Sequence, residues 1–301
     1  MSRVLITGAS GFIGNRAGVE FLKHGYEVIG WDRTESSKDF PIVVVDMADE
    51  NTVLRQLNSF NPDIIIHCAG AADVGKSVKD PTMDYHGNVT ITHNLLFALH
   101  KAGMEKTRVV FLSSAGVYGN PISLPITEDM PLNPLSPYAV HKVMCEDLFK
   151  YFSKNYGMNV KVARIFSAYG VGLKKQIFWD MHKKAVATGR LDMFGTGNES
   201  RDYIHVDDVV RSLYLLATAN SDQVVFNVAN GEEITIREAT ELFAEAFGVL
   251  RDNIAFNGVV REGDPLNWRA DISRIQELGY QKTVDMRTGL EEYVKWAKGQ
   301  E

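Results

Sequence analysis

The sequence predicts an α/β protein in which a doubly wound parallel sheet carries a smaller C-terminal lobe. Three observations favour this fold class. Short apolar runs alternate with helical patterns through the first half of the chain, the runs are continuously apolar, and a glycine-rich turn joins the first run to the first helix. Continuously apolar strands separated by helices are typical of a parallel sheet that helices cover on both faces.

The elements follow in order along the chain. The apolar runs predict strands at residues 4–7, 27–30, 42–45, 63–70, 108–113, 160–166 and 224–228. Helical spacing predicts helices at residues 12–24, 50–60, 81–102 and 176–188, and one that begins at Pro137. The alternation becomes less regular after about residue 170. We therefore expect a sheet domain over residues 1–170, to which segments such as 203–228 return, and a discontinuous substrate-binding lobe over 171–301.

The composition is that of an ordinary globular protein, with 45% hydrophobic and 23% charged residues. The 38 acidic residues outnumber the 32 basic ones, and the net charge of −6 argues against a general nucleic-acid binder. Two cysteines are too few for a disulfide framework and offer no metal-ligand spacing. The chain enters its first strand at Val4 without a signal peptide, and no apolar run reaches 18 residues, so we expect a soluble cytoplasmic protein.

Three glycines, Gly8, Gly11 and Gly14, lie at a spacing of three in the turn between the first strand and the first helix. They let the backbone turn tightly and approach a pyrophosphate. The N-terminus of the helix, at Phe12 and Ile13, offers free N–H groups and a positive dipole. With a strand before the triplet, a helix after it and a second strand beyond, the pattern predicts a Rossmann-type dinucleotide site.

The second strand is followed by Asp32, 18 residues after Gly14. A carboxylate at this place accepts hydrogen bonds from the ribose hydroxyls of an adenosine and repels a 2′-phosphate, so the sequence favours NAD over NADP. NADP stays open because the adjacent Arg33 can receive that phosphate.

A tyrosine and a lysine, Tyr138 and Lys142, lie one turn apart on the helix that Ser136 caps. A tyrosine with a pKa near ~10 is a poor base at neutral pH, but a nearby ammonium favours the phenolate, so the pair can move a proton on and off a hydroxyl. Ser113 and Ser114 end a strand at the edge where parallel sheets bind ligands. Each feature alone is common by chance.

Taken together, these features resemble the extended short-chain dehydrogenase/reductase family, in its NAD-dependent epimerase/dehydratase branch. The similarity covers nearly the whole chain. Its motifs are TGASGFIG at residues 7–14, HCAGA at 67–71, LSSAGVYG at 112–119, YAVHK at 138–142 and RDYIHVDD at 201–208. The resemblance implies hydride chemistry on a sugar linked to a nucleoside diphosphate, with Ser114, Tyr138 and Lys142 as the catalytic residues.

The resemblance also implies binding residues. Cofactor contacts are implied for Asp46 and Met47 at the adenine, for Cys68, Ala69 and Gly70 along the cofactor, for Asn88 on a nearby helix, and for Ser113 and Lys142 at the nicotinamide riboside. Substrate contacts are implied for Ser114, Gln176, Arg201, Tyr203, Arg261 and Asp264, with Leu191 and Phe194 beside the base. Two arginines suit a diphosphate because guanidinium groups match phosphate oxygens.

Two departures from the family pattern concern the substrate. Ser167 stands where the family usually has an asparagine near the sugar diphosphate, so we expect different contacts there. The stretch from Pro265 to Trp268 is an unfamiliar insert after REGD, and we expect Trp268 to fill core rather than to cover a sugar.

The reaction is narrowed by the two residues after the catalytic serine. The 4,6-dehydratases of this family carry Asp-Glu there, because elimination of water needs an additional acid and base. Ala115 and Gly116 cannot ionise, so we reject a dehydratase and expect an epimerase that oxidises and re-reduces a sugar carbon, C4 by hypothesis. A reductase of a 4-keto nucleotide sugar stays an alternative because the same three residues serve it. A non-catalytic NAD-binding regulator is a third hypothesis.

The resemblance finally implies a homodimer built as a four-helix bundle. The helices near residues 85–102 and 138–155 would form it. The apolar positions compatible with the bundle, each of which also suits packing on the sheet, are Leu95, Leu96, Leu99, Leu148, Phe149 and Phe152.

Overall fold

A seven-stranded parallel sheet forms the centre of the computed structural model, which describes residues 1–35, 39–259 and 266–300. In these ranges the strands are β1 (Arg3–Thr7), β2 (Glu27–Asp32), β3 (Ile42–Val44), β4 (Ile64–His67), β5 (Arg108–Ser114), β6 (Val160–Ile165), β7 (Ser167–Tyr169), β8 (Leu191–Met193), β9 (Ser200–Arg201), β10 (Tyr203–His205), β11 (Val225–Val228), β12 (Ile234–Thr235) and β13 (Ile254–Phe256). The helices are α1 (Phe12–Lys23), α2 (Glu50–Phe60), α3 (Val74–Lys79), α4 (Pro81–Tyr85), α5 (Ile91–Lys101), α6 (Pro137–Tyr156), α7 (Gln176–Thr188), α8 (Val206–Thr218), α9 (Ile236–Phe247), α10 (Ser273–Glu277) and α11 (Met286–Lys298).

The central sheet has the strand order β3-β2-β1-β4-β5-β6-β11, and all its neighbouring strands are parallel. The chain starts in the middle at β1, moves outward to β3, and returns to β4 before it continues to the other edge. The carboxyl ends of β1 and β4 therefore border the crevice at which the winding reverses, which is where open parallel sheets bind ligands. The doubly wound parallel sheet predicted from the sequence is confirmed.

Helices cover both faces of the sheet, which explains why its strands are continuously apolar. One face packs against α1 and α8, around buried side chains such as Phe21 and Leu213. The other face packs against α2, α5 and α6, around Leu57, Leu95 and Phe149. The two layers hold the carboxyl edge of the sheet rigid, and the site described below is built there.

The C-terminal lobe has a core of its own. Helices α7, α9 and α11 pack together around the fully buried Phe243, Leu290 and Tyr293. The segment between β10 and β12 leaves this lobe, since α8 packs on α1 and β11 pairs with β6 at the edge of the central sheet.

The helix predicted over residues 81–102 is wrong as a single α-helix. It consists of α4, a π-helical turn at His86–Thr90, and α5. The cause is the Asn88 side chain, whose Nδ2 donates to the Asp84 carbonyl at 3.1 Å, the group that the backbone N–H of residue 88 would bond in a regular α-helix. The predicted strand over residues 63–70 ends at His67, so Cys68, Ala69 and Gly70 lie in the loop after β4.

The apolar residues that were predicted to form a helix-bundle dimer pack in the hydrophobic core of the protein. The second core cluster contains Leu95, Leu96, Leu99, Phe149 and Phe152, and the partly buried Leu148 packs against it. Their side chains face the sheet or its flanking helices, because α5 and α6 form part of the layer that covers this face of the sheet. They are therefore not available as an interface.

Candidate active site

A cavity of about 970 Å³ lies between the carboxyl edge of the sheet and the C-terminal lobe. The loops after β1, β4, β5 and β6 form one wall, and α7, β8 and β10 contribute to the other. Its size is at the upper end of the range for ligand pockets, about 300–1,000 Å³. The switch point of the sheet and the cleft between the lobes thus coincide.

The glycine turn forms a cradle at this cavity. Gly8 has a φ of +64°, and a Cβ there would lie 2.8 Å from the backbone of Ala69. A Cβ on Gly14 would lie 2.2 Å from the Gly8 carbonyl oxygen. Helix α1 starts at Phe12, and its N-cap Gly11 has no side chain to occupy the first N–H groups. A side chain does not fit at Gly8 or Gly14, and the free N–H groups at the start of α1 suit a pyrophosphate.

The predicted adenosine-binding residues lie beside this cradle and are not among those lining the main cavity. Asp32 Oδ2 accepts from the Ser10 N–H at 2.9 Å, and Asp32 Oδ1 accepts from the N–H of the exposed Arg33 at 2.7 Å. The exposed Asp46 accepts from the Ala48 N–H at 3.0 Å. The Asp32 carboxylate is thereby fixed next to the glycine turn, where a ribose would lie.

The Met47 side chain is buried in the core rather than turned outward. Its carbonyl oxygen accepts from Asn94 Nδ2 at 3.0 Å. Its side chain is therefore not available to contact an adenine.

The loop after β4 is locked by a buried polar cluster. Thr7 Oγ1 lies 2.7 Å from His67 Nδ1 and accepts from the Ala69 N–H at 3.1 Å. Burial lowers the pKa of His67 to about 3, so the imidazole is neutral. Burial raises the pKa of the Cys68 thiol to about 12, against a smaller opposing effect of Lys142, so the thiol stays protonated and serves as cavity wall. Gly70 also lines the cavity.

Ser114, Tyr138 and Lys142 all line the cavity. Helix α6 positions two of them, because Ser136 accepts from the Ala139 N–H at 3.2 Å and so fixes the first turn. Lys142 is buried, its Nζ donates to the Leu112 carbonyl at 2.9 Å, and it lies 5.8 Å from the centre of the Tyr138 ring. A buried ammonium beside a phenol stabilises the phenolate.

The hydroxyl of Ser114 is held by the turn that follows β5. Its Oγ accepts from the Gly116 N–H at 3.1 Å. Because a hydroxyl also has one proton to donate, this contact leaves Ser114 able to donate to an oxygen in the cavity.

A buried ionic network supports the end of β5 from behind. Ser113 Oγ donates to Glu146 Oε1 at 2.6 Å, so its hydroxyl is engaged with α6 although the residue lines the cavity. Arg164 donates to both Glu146 oxygens, at 3.0 and 2.7 Å, and to Tyr118 Oη at 2.8 Å. Burial alone would raise the pKa of Glu146, but the hydrogen bonds and charge of Arg164 outweigh it and hold that pKa below its ordinary value.

Asn88 is buried on the π-helical turn and is not among the cavity-lining residues. Its Nδ2 donates to the Asp84 carbonyl at 3.1 Å and to Asp84 Oδ2 at 3.2 Å. Its Oδ1 is 2.8 Å from the point where a Cβ on Gly70 would lie.

The remaining predicted substrate-binding residues that the structure describes border the same cavity. Ser167, Gln176, Arg201 and Tyr203 all line it. Arg201 Nη1 donates to the Ser200 carbonyl at 2.7 Å. Arg261 and Asp264 lie outside the described residues.

The remaining sequence-based expectations for the substrate concern Leu191, Phe194 and Trp268. Leu191 is wrong as a neighbour of the base, because its side chain is fully buried in the core of the C-terminal lobe. Phe194 lines the cavity and is half-exposed. Trp268 fills core as predicted, packing on Phe166 with its Nε1 donating to the Gly119 carbonyl, and its ring also forms part of the cavity wall.

The sequence analysis did not predict that four lysines before and within α7 line the cavity. Lys174, Lys175, Lys183 and Lys184 line the cavity, and Lys175 Nζ donates across the cleft to the Ala72 carbonyl at 3.2 Å. The signal was one lysine pair directly before Gln176 and a second pair, Lys183 and Lys184, in the second half of α7, a pattern compatible with an anionic ligand.

The described residues hold no group of three His, Cys, Asp or Glu side chains suited to a metal ion. In the same part of the chain, no helix combines the length and apolar character that a membrane span requires.

Comparisons with known proteins agree with this geometry. Residues 4–229 match the family model described as the NAD dependent epimerase/dehydratase family. The chain is 34% identical to the UDP-glucose 4-epimerase of Mycolicibacterium smegmatis over 98% of both chains. Its structure matches the UDP-glucose 4-epimerase of Thermotoga maritima with UDP-glucose (27% identity, 99% of both chains, TM-score 0.90). It also matches the UDP-glucose 4-epimerase of Thermus thermophilus in complex with NAD (27% identity, 99% of both chains, TM-score 0.88).

Proposed function

The chain belongs to the NAD-dependent epimerase/dehydratase family, and from that premise we propose that it is a UDP-hexose 4-epimerase with NAD as its cofactor. The observation that carries this proposal is the convergence of Ser114, Tyr138 and Lys142 on the cavity that the glycine cradle also lines. The relatives described above act on UDP-glucose and match over nearly their whole length, which supports the same substrate class.

The residues of this chain fit NAD. The cradle of Gly8, Gly11 and Gly14 leaves room for a pyrophosphate at the start of α1, and Asp32 is held where it can accept from ribose hydroxyls. When bound, NAD supplies a hydride acceptor and donor for a sugar carbon. The protein then has to position the sugar and move one proton.

Tyr138 is the proposed acid and base. As the phenolate, it takes the proton of the C4 hydroxyl, and as the phenol it returns that proton to the same oxygen after the keto sugar has presented its other face. Lys142 stabilises the phenolate through its charge, and its contact with the Leu112 carbonyl holds it in place. Ser114 donates a hydrogen bond to the reacting oxygen. Ala115 and Gly116 offer no second acid, so elimination of water has no catalyst.

The substrate is proposed to lie with its diphosphate towards the C-terminal lobe. Arg201 and the lysines around Gln176 provide positive charge there, and Arg261 and Asp264 stay predicted contacts. Ser167 and Tyr203 line the same wall. This orientation places the sugar at Tyr138 and the base near Phe194.

The proposal is tested with purified protein and UDP-glucose. We expect UDP-galactose to form without added reductant and without net NADH absorbance at 340 nm, and mass spectrometry of released nucleotides to find NAD. Stoichiometric consumption of added NADH with a 4-keto nucleotide sugar, without interconversion of the two hexoses, would contradict the epimerase and favour the reductase.

Replacing Asp32 by alanine is expected to weaken NAD binding while leaving NADP binding nearly unchanged. The variant lacks the carboxylate that accepts hydrogen bonds from the ribose and repels a 2′-phosphate. The preference for NAD over NADP therefore becomes smaller. Dissociation constants for both cofactors, measured by calorimetry on cofactor-free protein, check this. Asp39→Ala, a nearby change outside the cradle, is the control. Equal weakening of both cofactors would show that Asp32 does not select between them.

The homodimer and the cytoplasmic location expected from the sequence stay predictions. For the dimer, we propose the outward face of α6 as the interface. Val140, Met144 and Tyr151 lie on one side of this helix and are 41%, 39% and 53% exposed. Exposed apolar side chains in helical register are typical of an association surface.

Introducing charge on that face is expected to give a monomer. In Met144→Glu/Tyr151→Glu, two carboxylates would be buried without partners on association, which costs several kcal/mol. Light scattering after size exclusion should show half the mass of the parent protein. Leu250→Glu, at a 72% exposed apolar residue in the C-terminal lobe, should leave the mass unchanged. An unaltered dimer in the double variant would place the interface elsewhere.

A further inference from the structure

A buried carboxylate–histidine pair joins α4 to α6 next to the catalytic helix face. Asp84 is 2% exposed, and its Oδ2 accepts from His141 Nδ1 at 2.6 Å. The ring of Tyr85 covers His141 edge-on at 5.5 Å. His141 directly precedes Lys142 on α6, yet the proposed proton transfer uses neither member of the pair.

The same carboxylate fixes the direction of the Asn88 amide. Asn88 Nδ2 donates to both the carbonyl and Oδ2 of Asp84, so its oxygen must point the other way. That oxygen is buried and has no hydrogen-bond partner among the described residues. It lies 2.8 Å from the point where a Cβ on Gly70 would be, and Lys142 Nζ lies 3.4 Å from the same point. The unpartnered acceptor and the Lys142 ammonium thus both lie beside Gly70.

The local backbone is built around this arrangement. Because the Asn88 side chain takes the Asp84 carbonyl, the helix widens into the π turn at His86–Thr90. Turns of this kind often occur at functional sites. A buried acceptor without a partner costs free energy, so its retention next to Lys142 calls for a ligand or water there.

We propose that Asp84 and His141 are positioning residues, which hold the Asn88 carbonyl oxygen as an acceptor on the Lys142 side of the site. The inference rests on the proposed function. An ammonium has three donors. The Leu112 carbonyl takes one, which leaves two for the nicotinamide riboside and for Asn88 Oδ1, the latter directly or through one water. The ammonium is then kept in the orientation that serves Tyr138. His141 in turn prevents the Asp84 side chain from rotating away from Asn88.

Pairs of variants separate this role from mere packing. Asp84→Leu and His141→Phe keep the bulk but remove the hydrogen bonds. Asp84→Asn keeps an oxygen for both donors, and His141→Asn keeps a donor at the place of Nδ1. We expect the first two to lower kcat about ten- to a hundred-fold, with KM for UDP-glucose and bound NAD per protomer unchanged, since small displacements at a reacting centre have effects of this size. The second two should retain kcat within about threefold of the parent.

A double variant tests whether Asp84 acts through Asn88. If it does, Asp84→Leu/Asn88→Ala is no slower than Asn88→Ala alone. The matched control is the His100–Glu105 pair, a 2.9 Å contact at the far end of α5, where His100→Phe and Glu105→Leu should leave kcat unchanged. Multiplying effects in the double variant, or failure of Asp84→Asn to restore kcat, would overturn the proposal.

A crystal structure of Asp84→Leu provides a readout that needs no turnover. We expect the Asn88 amide to rotate so that its oxygen no longer faces Gly70. An unchanged amide would overturn the inference even if kcat falls. If Asp84→Leu does not fold, the structure of His141→Phe decides in the same way. If the parent protein interconverts no UDP-hexose, the proposed function is wrong. These structures would still show whether Asp84 and His141 orient the Asn88 amide.

Discussion

Replacing Tyr138 by phenylalanine is expected to lower kcat by about 10²- to 10⁴-fold, the range over which a positioned acid and base contributes. The ring stays in place at the start of α6, so bound NAD and KM for UDP-glucose should change little. Steady-state kinetics, together with the NAD content of each preparation, measure both quantities. The whole loss of kcat is then due to the single oxygen atom of the Tyr138 hydroxyl.

The control for this variant is Tyr156→Phe. Tyr156 ends the same helix and is 38% exposed, outside the cavity. It should retain the activity of the parent. Turnover of Tyr138→Phe within a few-fold of the parent would show that the proton moves by another route, and Tyr138 would lose its assigned role.

Replacing Arg164 by methionine is expected to lower the free energy of unfolding by about 3–5 kcal/mol, because it removes the buried cation that pairs with the Glu146 carboxylate. Of the described cations, only the partly exposed Lys150 then stays near that carboxylate, with its Nζ 3.5 Å from Glu146 Oε2. The Arg164 and Glu146 side chains are at most 3% exposed, and their closest approach is 2.7 Å. Urea unfolding followed by circular dichroism measures the change. The exposed pair Arg287–Glu245 has the same closest distance of 2.7 Å and is the control, since Arg287→Met should cost less than about 1 kcal/mol.

The two proteins should also differ in how their stability depends on pH. In the parent, the pKa of Glu146 is lower in the folded than in the unfolded chain, so its contribution is complete above the unfolded value near 4.5 and is lost as the pH falls through the folded value. Without Arg164, we expect burial to outweigh the remaining hydrogen bond from Ser113 and the charge of Lys150, and so to raise the pKa of Glu146 above the unfolded value. The variant should then lose stability as the pH rises through that higher value, which is the opposite slope. Parallel pH profiles would contradict the ionic role of the pair.

The sheet was predictable because strands that are buried on both faces have continuously apolar sequences. Two strands, β1 and β5, were identified by their apolar runs. The turn that forms the cradle was identified by its three glycines at residues 8, 11 and 14. The spacing of Tyr138 and Lys142 after a serine cap predicted that they share a helix face, and their catalytic role was implied by the family resemblance. These features depend on neighbours in sequence, and local patterns report them.

What the sequence did not reveal depends on contacts between distant segments. Asp84 and His141 are 57 residues apart and pair only because α4 packs on α6. The π turn at Asn88 arises because a side chain replaces a backbone donor at the Asp84 carbonyl. The burial of Leu191, and of the leucines proposed for a dimer, reflects which side of each element meets a core. An apolar pattern alone does not distinguish a core from an interface.

Transfer of the C4 hydrogen tests the central claim most directly. Purified protein is incubated with UDP-glucose deuterated at C4 in ordinary water, and the hexose products are analysed by mass spectrometry and NMR. We expect UDP-galactose that retains the deuterium at C4, because a hydride leaves that carbon for NAD and returns to it within one active site. Loss of the label to solvent would contradict this transfer.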